Sequence, residues 1–201
     1  MSLFSIETIV EAMLFASTDP VPAARLAQTA EIQESEVHAA VKALNLQYEQ
    51  EGRSFRVREI SGGYQFRTLP ELADYVRGLS RNIAAHKLSP AALETLAIVA
   101  YRQPISRAEV EKIRGVNVSG VLKTLLERRL ITVCGRAQVL GRPLLYATTA
   151  DFLRHFGLAS LADLPRESEL EVILGEQAAL KADAAGEEPA EDEGEEQRLL
   201  M

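Results

Sequence analysis

Apolar residues recur at helical spacing from the start of the chain: Ile6, Ile9, Val10, Met13 and Leu14 predict a helix, and Thr18-Asp19-Pro20 ends it with turn chemistry. Pro22 suits the first turn of a second short helix reaching about Ala30. Between Glu34 and Gln50 the pattern returns, with Val37, Ala40, Val41, Leu44 and Tyr48 on one stripe. After Gly52 the period changes to two. Phe55 and Val57 alternate with Arg56 and Arg58, and Tyr64 and Phe66 alternate with Gln65 and Arg67, which predicts a β-hairpin turning at Gly62-Gly63. A short helix over 70–79, carrying Leu72, Tyr75, Val76 and Leu79, is expected to close this unit before a polar linker at 81–88.

The series then starts again. Ser89 is placed to cap a helix with Pro90 at its first position and Leu93, Leu96, Ala97 and Ala100 as its buried stripe. Ser106 and Glu109 have capping-box spacing for a second helix, which stops at Gly115. A third helix from Asn117 or Val118 to Arg129 buries Val118, Val121, Leu122, Leu125 and Leu126, and an apolar run over 130–134 opens a second ribbon, closed by a strand over 144–147 and a helix over 151–156. Pro20-Val21 and Pro104-Ile105 stand 84 residues apart, and Phe66 and Tyr146 stand 80 apart. The order of helices and ribbon predicts a mainly α (α+β) chain of two tandem winged helix-turn-helix domains, 1–80 and 89–166.

Composition changes this picture mainly at the C-terminus. Residues 167–201 hold 12 acidic side chains against only Lys181 and Arg198, so the net charge of −7 becomes +3 over the first 166 residues. With no aromatic residue to bury, this segment reads as a disordered acidic C-terminal tail. The 47 % hydrophobic fraction is ample for two small cores. Cys134 is the only cysteine, which excludes an intrachain disulfide and points to a reducing, cytoplasmic setting; at the end of an apolar strand it is expected to be a small buried residue. The N-terminus carries Glu7 and Glu11 within its apolar pattern, so it reads as neither a signal peptide nor a membrane span.

Chemistry is sparse. His38, His86 and His155 have no ligand spacing, and no glycine-rich loop opens a helix after a strand, so no catalytic residue, metal ligand or cofactor site is expected. DNA binding is the alternative that the fold invites, as in a winged-helix transcriptional regulator. The third helix of the first half begins with Glu34, Ser35, Glu36 and His38, however, and that of the second half presents Ser119, Lys123, Thr124, Glu127 and Arg128, neither of which is a base-reading set. Arg53, Arg56, Arg58, Arg67, Arg136 and Arg142 decorate the ribbons, either as a solvated face or as weak, sequence-independent phosphate contacts. The other use of such a fold is protein binding. The first helix is apolar on more than one side, with Leu3, Phe4, Ile9, Leu14 and Phe15, and the helix 91–101 adds Ala92, Ile98, Val99 and Tyr101 to its stripe. Each is either a central helix covered by its own domain or one that a partner covers as well.

The stretch LSPAALETLAIVAYRQPISRAEVEKIRGVNVSGVLKTLLERRLI and the wing GRAQVLGRPLLYATTADFLRHFGLASLADLP resemble the second domain of the segregation and condensation protein B (ScpB) family. The likeness is carried by Leu93-Glu94-Thr95-Leu96-Ala97, Arg102-Gln103-Pro104-Ile105, Arg114-Gly115-Val116-Asn117 and Gly141-Arg142-Pro143 before Tyr146. The first domain is similar to the family through Glu11-Ala12-Met13-Leu14-Phe15-Ala16 and Gly62-Gly63-Tyr64. Pro104, Gly115, Asn117, Gly141, Arg142 and Pro143 all have architectural explanations as turn, cap and wing residues. The resemblance implies a non-catalytic scaffold that forms a homodimer through its first domain, binds the kleisin ScpA and through it the Smc ATPase, and works on the nucleoid in chromosome condensation and segregation during the cell cycle and cell division. On that implication Ile9, Leu14 and Phe15 serve the homodimer, and Ile98, Val99 and Tyr101 hold the kleisin.

Overall fold

The computed structural model describes residues 3–79 and 88–166, together with Glu169; apart from Leu88 and Glu169, the predicted linker and acidic tail lie outside them. Three helices come first: α1 (Ile6–Phe15), α2 (Ala23–Ala30) and α3 (Glu34–Gln50). Ser5 caps α1 by accepting from the Thr8 amide, and at the start of α3 Glu36 Oε2 accepts from the Gln33 amide while the Gln33 carbonyl accepts from the Glu36 amide. Val10, Leu14, Leu26, Val37, Val41, Leu44 and Tyr48 converge into one core with Val57. The Tyr48 hydroxyl donates to Glu11 Oε1 at 2.7 Å, and burial, then that hydrogen bond, hold its pKa well above the usual phenol value. Asn45 joins the helices to the ribbon: its side chain accepts from the Val57 amide and donates to the Val57 carbonyl, both at 2.9 Å.

The ribbon pairs β1 (Phe55–Ile60) with β2 (Gly63–Thr68), Phe55 opposite Thr68 and Ile60 opposite Gly63. The turn is therefore Ser61-Gly62, both at positive φ, rather than Gly62-Gly63. Gly63 belongs to the strand for a different reason, since a Cβ there would lie 2.8 Å from the Val21 carbonyl carbon. That close approach carries a third, one-residue strand: Val21 bridges Tyr64 through N–H···O bonds of 2.9 and 2.8 Å. A 3₁₀ turn (Pro70–Leu72) leads into α4 (Ala73–Leu79), which buries none of its residues and leaves Tyr75, Val76 and Leu79 exposed, so it does not close the core as the apolar pattern predicts.

The second half comprises α5 (Pro90–Arg102), β3 (Ile105–Ser106), α6 (Arg107–Arg114), α7 (Ser119–Glu127), β4 (Ile131–Arg136), β5 (Leu144–Thr148), α8 (Ala150–Phe156) and a 3₁₀ turn (Leu161–Asp163). Ser89 and Pro90 begin α5 as read, Gly115 ends α6 in the left-handed region, and the Asn117 side chain accepts from the Ser119 amide at 3.0 Å. Its sheet has three strands in the order β3-β5-β4, where a two-stranded ribbon is predicted. Ile105 pairs with Tyr146 as Val21 pairs with Tyr64, so the counterpart of Tyr146 is Tyr64, not Phe66. The register of β4 against β5 shifts between Val133 and Gly135, and Cys134, on the face opposite buried Ile131, is exposed, not buried. Gly141 and Arg142 both take positive φ in the wing loop, which Ala137 closes by donating to the Pro143 carbonyl at 2.9 Å.

One buried polar site holds α5 to α6. Thr95 is fully buried, and Arg114 donates to its Oγ1 at 2.6 Å and to the Ala91 carbonyl at 2.8 Å while pairing with Glu94. The Ser106–Glu109 box is complete: Glu109 Oε2 accepts from Ser106 Oγ at 2.6 Å and from its amide at 2.8 Å. These bonds hold the Glu109 carboxyl below its ordinary pKa. The depressed value means that its stabilisation is present above the ordinary carboxylate range and is lost as pH falls through the folded-state value. Ser106→Ala should cost about 1 kcal/mol at pH 7. Glu109→Gln should lower Tm at pH 7, and thermal scans of the variant and the parent should converge as the pH falls below about 4.

Candidate docking surfaces

The outward faces of α1 and α5 follow from which residues their cores consume. On α1, Val10 and Leu14 are buried and Ile6 and Met13 pack against the same core, which leaves Ile9 half-buried. Phe15 lies one residue past Leu14, about 100° round the helix, and is 85 % exposed. Thr8 and Ala12 are exposed on that same side, and Leu3 and Phe4, also exposed, precede the cap. Of the three residues assigned to the homodimer, Leu14 is buried in its own domain, Ile9 is half-buried and Phe15 is exposed, with Leu3 and Phe4 exposed before the cap.

On α5 the buried positions are Ala92, Thr95, Leu96, Val99 and Ala100. Val99, assigned with Ile98 and Tyr101 to the kleisin, is fully buried in its own domain. Ile98 is half-buried and Tyr101 is 40 % exposed. Leu93, read from sequence as core, is 45 % exposed, and Ala97, also read as core, is exposed. Leu93, Ala97 and Tyr101 therefore form an i, i+4, i+8 stripe facing outward beside Ile98. The signal that could have found this stripe is Thr95. Counting it as buried rotates the core face of α5 from Leu93-Ala97 to Ala92-Leu96-Val99.

The surfaces expected of a DNA reader are spent differently. Glu34 and Glu36 occupy the first turn of α3, where Glu36 also accepts from the Gln33 amide at 2.8 Å. His38 Nδ1 lies 2.6 Å from the Tyr64 hydroxyl, whose pKa is raised by burial and then by Glu59. On the ribbons, Arg53 pairs with Glu51, Arg56 donates to the Arg53 and Phe55 carbonyls, Arg67 to the Arg154 carbonyl and Arg136 to the Arg142 carbonyl. Arg58 and Arg142 are exposed. Lys123 lies 3.8 Å from Glu127 on the outer side of α7.

An open cleft of about 430 Å³ beside α1 is lined by Met13, Ser17, Asp19, Val21 and Arg25 among others. Among the described residues no group of three or more His, Cys, Asp or Glu is placed to hold a metal ion, and no helix is long and apolar enough to cross a membrane.

Comparison with known proteins agrees with the resemblance. The family model for the segregation and condensation complex subunit ScpB matches residues 8–167. The segregation and condensation protein B of Syntrophotalea carbinolica is 43 % identical over 183 residues, covering 91 % of this chain and 92 % of that protein. That of Symbiobacterium thermophilum is 48 % identical over 157 residues, covering 78 % and 71 %. Among solved structures, the crystal structure of ScpB from Mycobacterium tuberculosis shares 38 % identity over 79 % of this chain and 99 % of that one, with a TM-score of 0.38. A dimer of an ScpB N-terminal domain complexed with an ScpA peptide shares 31 % identity over 37 % and 93 %, with a TM-score of 0.35. With a family match that spans both ribbons and relatives above 40 % identity over most of their length, the chain belongs to the ScpB family of segregation and condensation subunits.

Proposed function

We propose that this protein is a non-catalytic scaffold subunit that forms a homodimer and binds the kleisin ScpA, acting with Smc in chromosome condensation and segregation. Residues 1–80 and 89–166 act as two tandem winged-helix domains, the first carrying the dimer contact and the second the kleisin contact, in the cytoplasm against the nucleoid. The observation that carries this reading is a matched pair of central helices, each with one face in its core and a second apolar face outside. Phe15 marks the outer face of α1, and Leu93, Ile98 and Tyr101 mark that of α5. Aromatic side chains on an exposed helix face supply large contact area at small conformational cost, as binding hot spots do.

The test is purification with and without co-expressed ScpA, with masses from light scattering during size exclusion and duplex DNA run in parallel. The expected result is a homodimer that co-elutes with ScpA and does not shift duplex DNA at physiological salt. Tyr101→Ala combined with Leu93→Ala should weaken ScpA binding by 10-fold or more, from about 1.4 kcal/mol or more of lost contact, while the dimer mass stays the same. Selective binding of one duplex sequence with no retention of ScpA would instead establish a transcriptional regulator.

A further inference from the structure

The tip of the first ribbon is not free. In a two-residue hairpin turn the amides of the turn residues ordinarily face water, but here Ser61 N–H donates to the Leu158 carbonyl at 2.8 Å and Gly62 N–H to the Ala159 carbonyl at 3.0 Å. The acceptors belong to the segment that follows α8, about a hundred residues away along the chain. That segment is itself built to present them. Gly157 ends α8 in the left-handed region, Leu158 N–H returns to the Leu153 carbonyl at 2.9 Å, and the Ala159 and Ser160 amides both donate to Asp163 Oδ2 at 2.9 Å. Asp163 thereby gathers the chain into a short strap whose two preceding carbonyls point at the turn.

A second contact lies beside the first. Arg154 on α8 donates to Asp19 Oδ1 at 2.9 Å while also pairing with Asp151 on its own helix, and its carbonyl accepts from Arg67 of β2 at 3.1 Å. Arg154 is held protonated by Asp151 first and by Asp19 as well. Asp19 and Arg67 belong to the first half, Arg154 and Asp163 to the second, and the compact part of the chain runs through both to Asp163.

We infer that the Ser61-Gly62 turn, the Leu158–Asp163 strap and the Arg154–Asp19 pair form a clasp that fixes the second winged half on the first. Asp163 is its organising side chain, acting through the Ala159 and Ser160 amides. The two outer helix faces are then presented at one set angle, and a partner that needs another angle must open the clasp. Hydrogen bonds of this kind contribute modestly one by one, so the clasp is a local opening equilibrium separable from global unfolding.

Hydrogen exchange of the full chain, resolved to single amides, tests it. In the parent protein Ser61 and Gly62 should exchange on the order of 10-fold or more slowly than open-turn amides. Asp163→Ala should remove that protection at Ser61, Gly62, Ala159 and Ser160 and leave Val37 and Leu44 in α3 unchanged, and Asp163→Asn, whose carbonyl oxygen still accepts, should restore part of it. On a Cys134→Ser background, spin labels at Gln28→Cys and Lys123→Cys, diluted with unlabelled protein, should give a narrow distance distribution that Asp163→Ala broadens. Free exchange at Ser61 and Gly62 in the parent would overturn the clasp even if the variants failed to fold. Unchanged protection there in a folded Asp163→Ala protein would overturn the role of the strap.

Discussion

Gly63→Val should lower the urea midpoint sharply, by about 3–5 kcal/mol in stability, while Gly62→Ala one residue earlier costs only about 1 kcal/mol. The contrast separates two uses of glycine. Gly62 sits at φ +71° with nothing within 4 Å of a built Cβ, so a side chain there strains the backbone and meets nothing. Gly63 has no such φ, but its Cβ would lie 2.8–2.9 Å from the carbonyl carbons of Val21 and Pro20 and from the Val21 nitrogen. All three are backbone atoms, so no rotamer change relieves the overlap. The chain at Pro20-Val21 must move away, and both hydrogen bonds between Val21 and Tyr64 go with it. Out of a total stability of about 5–15 kcal/mol that loss is large. An unfolding curve for Gly63→Val within 1 kcal/mol of the parent would show that the third strand of the first sheet contributes little.

The neighbouring pair Leu14 and Phe15 should divide stability from association. Leu14 is 2 % exposed and packs with Val10, Leu26 and Val37, so Leu14→Ala should cost about 2–5 kcal/mol. Phe15→Ala, at 85 % exposure, should change the stability of the isolated fold by less than about 0.5 kcal/mol. If the outer face of α1 is the dimer contact, Phe15→Ala should also raise the dimer dissociation constant by about 10-fold or more in sedimentation equilibrium. Denaturation of both variants must be compared at one protein concentration, because dimerisation adds to apparent stability by mass action. A Phe15→Ala protein that dimerises like the parent would move the dimer contact to another exposed face, such as that of Tyr75 and Leu79 on α4.

Much of this fold was legible because its helices announce their own ends. The bounds of α3, the Ser89-Pro90 start of α5, the Ser106–Glu109 box and the Gly115 stop all rest on chemistry contained within a few residues. What escaped were features that depend on a neighbour. A two-residue strand such as β3 has no period to detect, and Val21 pairs as a single residue. Cys134 ends an apolar run that does not show which face is buried, and it falls on the face opposite Ile131. The outer faces were half legible: apolar width marked α1 and α5 as unusual, but width does not give phase. Thr95 set the phase of α5, and only the Arg114 guanidinium and the Ala91 carbonyl explain how its hydroxyl comes to be buried.

The strap also sets an order of events during synthesis. Ser61 and Gly62 leave the ribosome about a hundred residues before Leu158 and Ala159, a delay of roughly 5–20 s at ordinary elongation rates. For that interval the first core can be complete while its hairpin tip is still bonded to water. The last stretch of the compact fold to be made is therefore the one that completes the clasp, and a chain terminated shortly before Leu158 would lack both bonds to the Ser61-Gly62 turn while keeping the Arg154 contacts with Asp19 and Arg67.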